Sequence, residues 1–394
     1  AYLRQYSESQ QEYGRQAHSQ PRQGSQRAPR RQPQAKPQYR RVQADPKRYE
    51  PAAKKKRESE NIEFGKKNSY ANSKKGKKEL SGGSAVKKFF KGVFVILLVL
   101  VLLLQLLIFR YIWLVNSVDT GERLVTNASM SDKNVTNILL IGSDTRDENE
   151  RGRTDSMILL SINKQTKQMT MTSLMRDCYV EIPDHGWAKL NAAYSYGGAE
   201  LLMDTIEQNF DVAVDKFVYV SFFSFIDIVD AVGGINIDLS DDEAQYMTDP
   251  MAEQNKYLGN KKGTDYLTHG GDDMLLNGNQ ALAYARLRYV GNADFERTQR
   301  QRTVITKIIS QAKTLSPLKL DNFMKVCCSE LTTNMTKGEM YVMFYKLLFS
   351  MNYDMQQLRI PQEGAYYYGT HDEQSTLDLD FDACQREIKK KIYN

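Results

Sequence analysis

The chain has 394 residues, 41% of them hydrophobic and 26% charged, so it is long enough to bury a sizeable core. Its net charge of +6 hides two opposite parts: residues 1–88 carry 23 Lys and Arg against 8 Asp and Glu, and the remaining residues carry 31 against 40. No helix-turn-helix, zinc-finger or aromatic stacking pattern accompanies the basic residues, and the four histidines are scattered. Nucleic-acid binding and zinc catalysis are therefore disfavoured.

The amino-terminal part, residues 1–88, is built mainly from Gln, Arg, Ser, Pro, Lys and Tyr, with few branched aliphatic residues. Such a composition cannot bury enough apolar surface to offset the entropy of ordering, so we expect a disordered basic tail. Its lysine clusters at 54–57 and 74–78 are expected to face anionic lipid headgroups or other cytoplasmic polyanions.

An apolar run follows at Gly92–Phe109, whose one polar residue is Gln105 and which contains no charge. At about 1.5 Å per residue it is roughly 27 Å long, which predicts one transmembrane helix over residues 89–115. A cleaved signal sequence is disfavoured because a long polar tail precedes the run. The excess of Lys and Arg before the span predicts a cytoplasmic amino terminus and an outward-facing carboxy-terminal part.

Beyond a predicted linker at 116–134, residues 135–394 are predicted to form one large domain. Asn137–Ile141 and Met157–Ile162 are nearly continuous apolar runs, typical of strands covered on both faces, and Met169–Leu174 alternates. Further strands are predicted at 235–239 and 357–360, and helices at 192–209, 222–232, 279–284, 295–315, 341–351 and 381–393. This mixture predicts an α/β fold, an α-β-α sandwich with a mixed central sheet.

Two segments that combine arginine with aspartate, Gly142–Arg146 and Gly152–Met157, are echoed by Arg286–Arg288 and by Asp294–Gln301. Guanidinium groups match phosphate oxygens, and carboxylates supply the oxygen ligands that Mg²⁺ prefers, so this recurrence predicts a phosphorylated ligand with a divalent cation. Antiparallel pairing of the first two strands would bring the carboxylates of both segments to one edge of the sheet.

Whether other residues lie at the same edge of the sheet depends on the strands and helices that carry them. Arg176 does so if the third strand neighbours the first two. Arg297 and Gln301 are four apart and share a helix face. Asp294, near the start of that helix, is suited equally to capping it and to accepting a proton from an attacking hydroxyl. Arg286 and Arg288 point the same way only if the backbone is extended.

The four cysteines, Cys178, Cys327, Cys328 and Cys384, all follow the predicted span. Disulfides are permitted on this topology, although the adjacent Cys327 and Cys328 would rarely pair with each other. The alternative is that they are buried thiols acting as small apolar residues.

These motifs resemble the LytR-CpsA-Psr family of bacterial cell-envelope proteins, from about Asn137 to the carboxy terminus. Besides the segments above, the resemblance rests on Ser173–Asp177, Lys189–Tyr194, Gly233-Gly234 and Ala283–Arg288. One departure is Leu174-Met175 before Arg176, where the family usually has isoleucine and proline. The resemblance implies a single-pass protein of the cell membrane, of Gram-positive type, with an α-β-α domain outside.

The resemblance also implies roles for individual residues. Asp144 and Asp155 would coordinate Mg²⁺ or Mn²⁺, and Asp294, Arg153 and Arg297 would be catalytic. The diphosphate would be held by Arg146, Arg153, Arg176, Arg286, Arg288, Arg297 and Gln301. An apolar tunnel for a polyprenyl tail would be lined by Phe217, Phe222, Phe225, Ile226 and Val229, which ordinary core packing explains equally well.

The implied activity is transfer of a glycopolymer, such as teichoic acid or capsule, from a polyprenyl diphosphate carrier to peptidoglycan. Its partners would be that lipid-linked glycan, peptidoglycan and membrane lipid. Two alternative functions remain open. Water as the attacking group would make the protein a polyprenyl diphosphate phosphatase, and a protein without turnover would be a lipid-diphosphate sensor that signals through its basic tail.

Overall fold

A computed structural model describes residues 82–120, 128–144, 152, 154–288 and 293–394. The strands in chain order are β1 (Asn116–Ser117), β2 (Val135–Ser143), β3 (Thr154–Asn163), β4 (Gln168–Leu174), β5 (Cys178–Ile182), β6 (Gly186–Lys189), β7 (Lys216–Ser221), β8 (Ile235–Leu239), β9 (Gly271–Leu276), β10 (Thr332–Thr333), β11 (Asp354–Ile360), β12 (Tyr366–His371) and β13 (Gln374–Leu379). The helices are α1 (Gly82–Leu114), α2 (Leu190–Phe210), α3 (Phe222–Val232), α4 (Asp241–Tyr246), α5 (Thr248–Leu258), α6 (Gly278–Arg286), α7 (Ala293–Ala312), α8 (Pro317–Ser329), α9 (Lys337–Ser350) and α10 (Phe381–Ile392).

The first helix, α1, contains the stretch Val86–Leu114, which is long and apolar enough to cross a membrane. Its leucine side chains are largely exposed along Leu97–Leu104, as expected of a surface that meets lipid. Residues 1–81 of the predicted tail lie outside the described residues, and residues 82–88 form the start of α1.

Seven strands form the central sheet, in the order β1-β10-β7-β2-β3-β4-β11. The sheet is mixed: β2, β3 and β4 are antiparallel neighbours, whereas β7 runs parallel to β2 and β11 parallel to β4. Strands β12, β13, β5 and β6 form a second sheet, and β8 pairs with β9. Within the predicted linker, Asn116–Ser117 form β1, which lies parallel to β10.

Strand β2 is covered on both faces, as its continuous apolar sequence predicted. Leu139 and Ile141 pack in a cluster with α2 and α10. The alternate residue Ile138 packs on the other face in a cluster with α9 and with Ile108 and Ile112 of α1. Alternation along the strand therefore produces helical layers on both faces of the sheet, and the end of the apolar helix belongs to one of them.

A third apolar cluster joins α3, α6 and α7 to the β8–β9 ribbon. It holds α6 and α7 beside the sheet, so that Arg288, just after α6, and Arg297, on α7, reach the ends of β3 and β4. Burial of apolar side chains in these clusters, at about 25 cal/mol per Å², is the main force that positions the two helices.

Candidate functional site

The site begins at an irregularity between β2 and β3. Gly142 pairs with Ser156 and Ser143 pairs with Thr154, so Asp155 is an extra residue on β3. Such a bulge bends the strand and redirects a side chain. The two strands are antiparallel, as predicted, and Asp144 directly follows β2 at the edge where Asp155 lies.

Arginines from three other parts of the chain surround Asp155. Arg176, just after β4, donates from Nη1 to Asp155 Oδ1 at 2.9 Å. Arg288, just after α6, places its Nη2 3.4 Å from both carboxylate oxygens. On α7, Gln301 Nε2 lies 3.4 Å from the Asp155 carbonyl oxygen, and the buried Arg297 is close enough to stabilise the charged carboxylate.

These charges determine the ionisation of Asp155. Burial by itself would raise the pKa of Asp155, but the positive charges of Arg176, Arg297 and Arg288 outweigh it and hold that pKa below its ordinary value. The carboxylate is therefore ionised at neutral pH. Because one carboxylate faces three guanidinium groups, the cluster has positive charge to offer an anion.

A second carboxylate, Asp177, extends the cluster. Lys189 Nζ donates to Asp177 Oδ1 at 2.8 Å, and Arg176 Nε donates to Oδ2 at 3.3 Å. Sequence reasoning named Asp177 only as a neighbour of Arg176 and gave Lys189 no role. Asp177 follows the predicted strand at 169–174, but β5 and β6, whose pairing brings Lys189 to Asp177, were not predicted. Asp177 fixes the side chain of Arg176 from the side opposite Asp155.

Replacing Asp177 by asparagine is expected to lower the free energy of unfolding by about 1–3 kcal/mol at pH 7, because the ion pairs with Lys189 and Arg176 are lost. Burial opposes ionisation, but Arg176 and Lys189 hold the pKa of Asp177 below its ordinary value of 3.8. The stabilisation is therefore complete above that value and is lost as the pH falls through the lower folded-state pKa.

Thermal unfolding of the detergent-solubilised chain, followed from pH 7 to pH 3, measures this dependence. The exposed Asp372→Asn variant is the control. A difference between wild type and Asp177→Asn that stays constant to the lowest pH would contradict the assignment.

Arg286 and Asp144 line a cavity at the end of β2. The cavity is lined by Asp144, Phe222, Phe223, Glu253, Gln254, Tyr257, Leu282 and Arg286. Arg286 Nη2 is 2.7 Å from Glu253 Oε2, and its guanidinium carbon lies 5.1 Å from the centre of the Phe222 ring. Glu253 was not predicted, because α5 itself was not predicted.

Three predicted residues lack a description of their side chains. Arg146 and Arg153 lie outside the described residues, and Asp294 is in the first turn of α7 without a described side chain. Their roles stay predictions. The structure thus brings Arg176, Arg288, Arg297 and Gln301 to Asp155, and places Arg286 with Asp144.

Two other arginines of α7 have different partners. Arg300 forms ion pairs with Glu243 at 3.0 Å and Glu296 at 2.9 Å. Arg302 donates to Ser173 Oγ at 2.6 Å, beneath the end of β4. Burial, and to a smaller extent the charge of Arg359, lowers the pKa of Arg302 to about 10. Both side chains hold α7 in place against its neighbours.

The predicted metal ligands can be tested against the donors present. Among the residues that the structure describes, no three His, Cys, Asp or Glu side chains form a metal-binding group. Mg²⁺, however, is commonly bound by one or two carboxylates together with phosphate oxygens. Asp155 is ionised, and its contacts with Arg176 and Arg288 leave lone pairs open. Asp155 thus has the donor chemistry that Mg²⁺ takes beside a phosphate, and Asp144 follows the paired strand at the same edge; the metal site itself stays a prediction.

The residues suggested as a tunnel are divided between two cores. Phe217, on β7 of the central sheet, packs in the cluster with α2 and α10, whereas Val229 and Phe225 belong to the cluster of α3, α6 and α7. Phe222 lines the cavity of Arg286. Core packing thus accounts for three of them. The cysteines follow the buried-thiol alternative: all four are free, and Cys178, Cys328 and Cys384 are buried.

The described part of the chain therefore combines a mixed α/β domain, an apolar helix long enough to cross a membrane, and a cluster of arginines around Asp155 at one end of the central sheet. The model of the LytR_cpsA_psr family matches residues 115–390. The chain belongs to the LytR-CpsA-Psr family, as its motifs predicted.

Named relatives and solved structures agree with this membership. The chain is 34% identical over 249 residues to the polyisoprenyl-teichoic acid–peptidoglycan teichoic acid transferase TagU of Bacillus licheniformis, covering 61% of this chain and 74% of TagU. TagT bound to LI-WTA matches with a TM-score of 0.54 and 26% identity, over 70% of this chain and 98% of TagT. TagT with bound octaprenyl pyrophosphate lipid matches with a TM-score of 0.51 and 25% identity, over the same shares.

Proposed function

We propose that this protein is a magnesium-dependent phosphotransferase that moves a glycopolymer from a polyprenyl diphosphate carrier to a hydroxyl group of peptidoglycan. The observation that carries the proposal is the cluster at Asp155, where Arg176, Arg288 and Arg297 converge from separate parts of the chain. The relatives named above are teichoic acid transferases, and one matched structure holds octaprenyl pyrophosphate. A teichoic acid on a polyprenyl diphosphate is therefore the donor to test first.

The reaction is an in-line displacement at the phosphorus attached to the glycan. A sugar hydroxyl of peptidoglycan, for which we infer the 6-hydroxyl of N-acetylmuramic acid, forms the new phosphorus–oxygen bond. The bond from the same phosphorus to the bridging oxygen breaks, and polyprenyl phosphate leaves with that electron pair. The hydroxyl proton passes to a base, a role for which Asp294 is the candidate.

The arginines act by charge and alignment. Arg176 is held between Asp155 and Asp177, so its guanidinium is already oriented before a ligand arrives. Groups fixed in this way stabilise developing negative charge without reorganising during the reaction. Arg288 and Arg297 add positive charge beside the same carboxylate, and Arg286 offers a further guanidinium in the neighbouring cavity. Asp144 and Asp155 would hold Mg²⁺ or Mn²⁺, which when bound neutralises charge on the diphosphate.

Removal of divalent cations is expected to abolish transfer, since the diphosphate would then lose part of its charge compensation. The measurement uses the full chain in detergent, a lipid-linked teichoic acid fragment and peptidoglycan oligomers, with mass spectrometry of the products after chelation and after Mg²⁺ or Mn²⁺ is restored. Full activity in the chelated sample would contradict the metal assignment. Free phosphorylated glycan in place of the peptidoglycan conjugate would favour the phosphatase.

The side of the membrane on which the domain lies is part of the proposal. Residues 1–88 carry a net charge of +15, and a basic flank of this kind stays in the cytoplasm. The site would then lie on the outer side, where peptidoglycan is found. The anchor also fits the chemistry, because a polyprenyl diphosphate donor is confined to a membrane leaflet.

A further inference from the structure

Helix α9 makes an unusual contact with the apolar helix α1. Gln105, the one polar residue of the run Gly92–Phe109, accepts hydrogen bonds from the hydroxyl groups of Tyr341 and Tyr345, the second at 2.9 Å. Gln105 lies four residues before the end of that run, or about 6 Å along the helix axis. Two side chains of α9 therefore contact α1 at a level where a bilayer would contain acyl chains.

The course of α9 follows from its other contacts. Lys337 Nζ, at the start of α9, donates to the carbonyl oxygens of Val115 at 2.6 Å and Ile112 at 3.2 Å. These carbonyls lie at the end of α1, whereas Tyr341 and Tyr345 reach back to Gln105. Helix α9 thus starts at the end of α1 and returns beside it, towards the centre of the apolar run.

The outer surface of α9 is apolar. Val342, Tyr345 and Phe349 are spaced at i, i+3 and i+7 and so share one face, which is the face beside α1. The side chains of Val342 and Phe349 are 54% and 74% exposed, and Leu348 is exposed beside them. The opposite face carries Met340 and Met343, which are buried against the central sheet.

The charged residues of α9 all point elsewhere. Lys337 binds the end of α1, Glu339 pairs with Lys216 of β7 at 2.8 Å, and Lys346 Nζ lies 3.1 Å from Thr136 Oγ1 of β2. No charged side chain of this helix therefore interrupts the exposed apolar face. That face is continuous with the exposed leucines of α1, which are themselves expected to meet lipid.

We propose that α9 enters the membrane alongside α1, with the side chains of Val342, Leu348 and Phe349 among the acyl chains of the leaflet that surrounds the carboxy-terminal part of α1. The contacts of Tyr341 and Tyr345 with Gln105 place the middle of α9 about 6 Å inside the apolar run, and Phe349 follows further along the helix. The proposal depends on α1 crossing a membrane and not on the transferase activity.

The test attaches a nitroxide spin label to the full chain reconstituted in lipid nanodiscs, at Phe349→Cys and, in a second variant, at Tyr367→Cys. Tyr367 is a matched control, because its side chain is also 74% exposed but lies on β12. Labelled wild type gives the background from the four native cysteines. Collision rates with oxygen, which dissolves in lipid, are compared with those of a water-soluble nickel chelate.

At position 349 the ratio of oxygen to nickel collision rates is expected to exceed the ratio at position 367 by at least about threefold, since acyl chains around the label exclude the water-soluble chelate. Equal ratios at the two positions would overturn the proposal. A third label at Leu100→Cys, in the middle of α1, identifies the cause of failure. If position 100 is in lipid and position 349 in water, α9 does not enter the membrane; if both are in water, α1 does not span the bilayer.

Discussion

Replacing Asp155 by alanine is expected to reduce transfer from a lipid-linked glycan to peptidoglycan oligomers by about a thousandfold or more. The variant loses a candidate metal ligand and the carboxylate that orients Arg176 and Arg288. Three guanidinium groups would then face one another without the central negative charge, so Arg297 and its neighbours should also shift. Single-turnover rates at saturating Mg²⁺, with products identified by mass spectrometry, measure the loss.

The control for Asp155→Ala is Glu243→Ala, which removes an ion pair that Arg300 of α7 makes with α4 and does not touch the Asp155 carboxylate. The two carboxylates are similarly buried, with side chains 17% and 15% exposed. Glu243→Ala should therefore reduce stability without a comparable loss of turnover by the folded fraction. Equal losses of turnover in the two variants would mean that Asp155 matters only for folding, and the proposed site would be wrong.

Replacing Arg286 by alanine is expected to reduce kcat/KM for the lipid-linked donor by about a hundredfold, in line with the loss of one charge-assisted contact to a phosphate. The variant removes the guanidinium that lies between Glu253 and Phe222 and leaves the cavity acidic. The reaction is followed at donor concentrations above and below KM, so that loss of binding and loss of turnover are separated.

Two companion variants make the Arg286 result specific. Arg286→Lys keeps the charge but loses the planar fork, and should recover only part of the activity. Arg386→Ala, on the exposed side of α10, removes the same type of residue far from the cavity and should act like wild type. If Arg286→Ala binds and turns over the donor normally, this arginine only holds α5 through Glu253.

Much of the central sheet could be predicted because several of its strands have nearly continuous apolar sequences. Met157–Ile162 lies within β3, and the helix expected at 295–315 is α7, observed at Ala293–Ala312. The region 241–258 gave no such signal, since α4 and α5 are short and polar and α5 contains Pro250. Proline is tolerated in the first turn of a helix, and this is where Pro250 lies in α5.

The sequence predicted which residues form the site better than it predicted how they are arranged in space. Repetition of arginine beside aspartate identified Arg176, Arg288 and Arg297, which the structure brings to Asp155. The bulge at Asp155 was not predictable, because a one-residue offset in register has no signature in an apolar strand. Likewise the pairing of β5 with β13 joins segments about two hundred residues apart, for which local periodicity carries no information.

The carboxy-terminal end of α1 is part of the domain and not a tether to it, since Ile108 and Ile112 pack with Ile138 of β2 and with α9. A domain on a flexible linker would change its orientation and its distance from the bilayer freely. Here the domain packs directly on the end of α1, so rotation of this helix rotates the domain with it. The reactive pocket is thereby held at a nearly constant elevation and tilt. On the proposed function, an acceptor strand of peptidoglycan must therefore reach the site at the distance from the membrane that α1 sets.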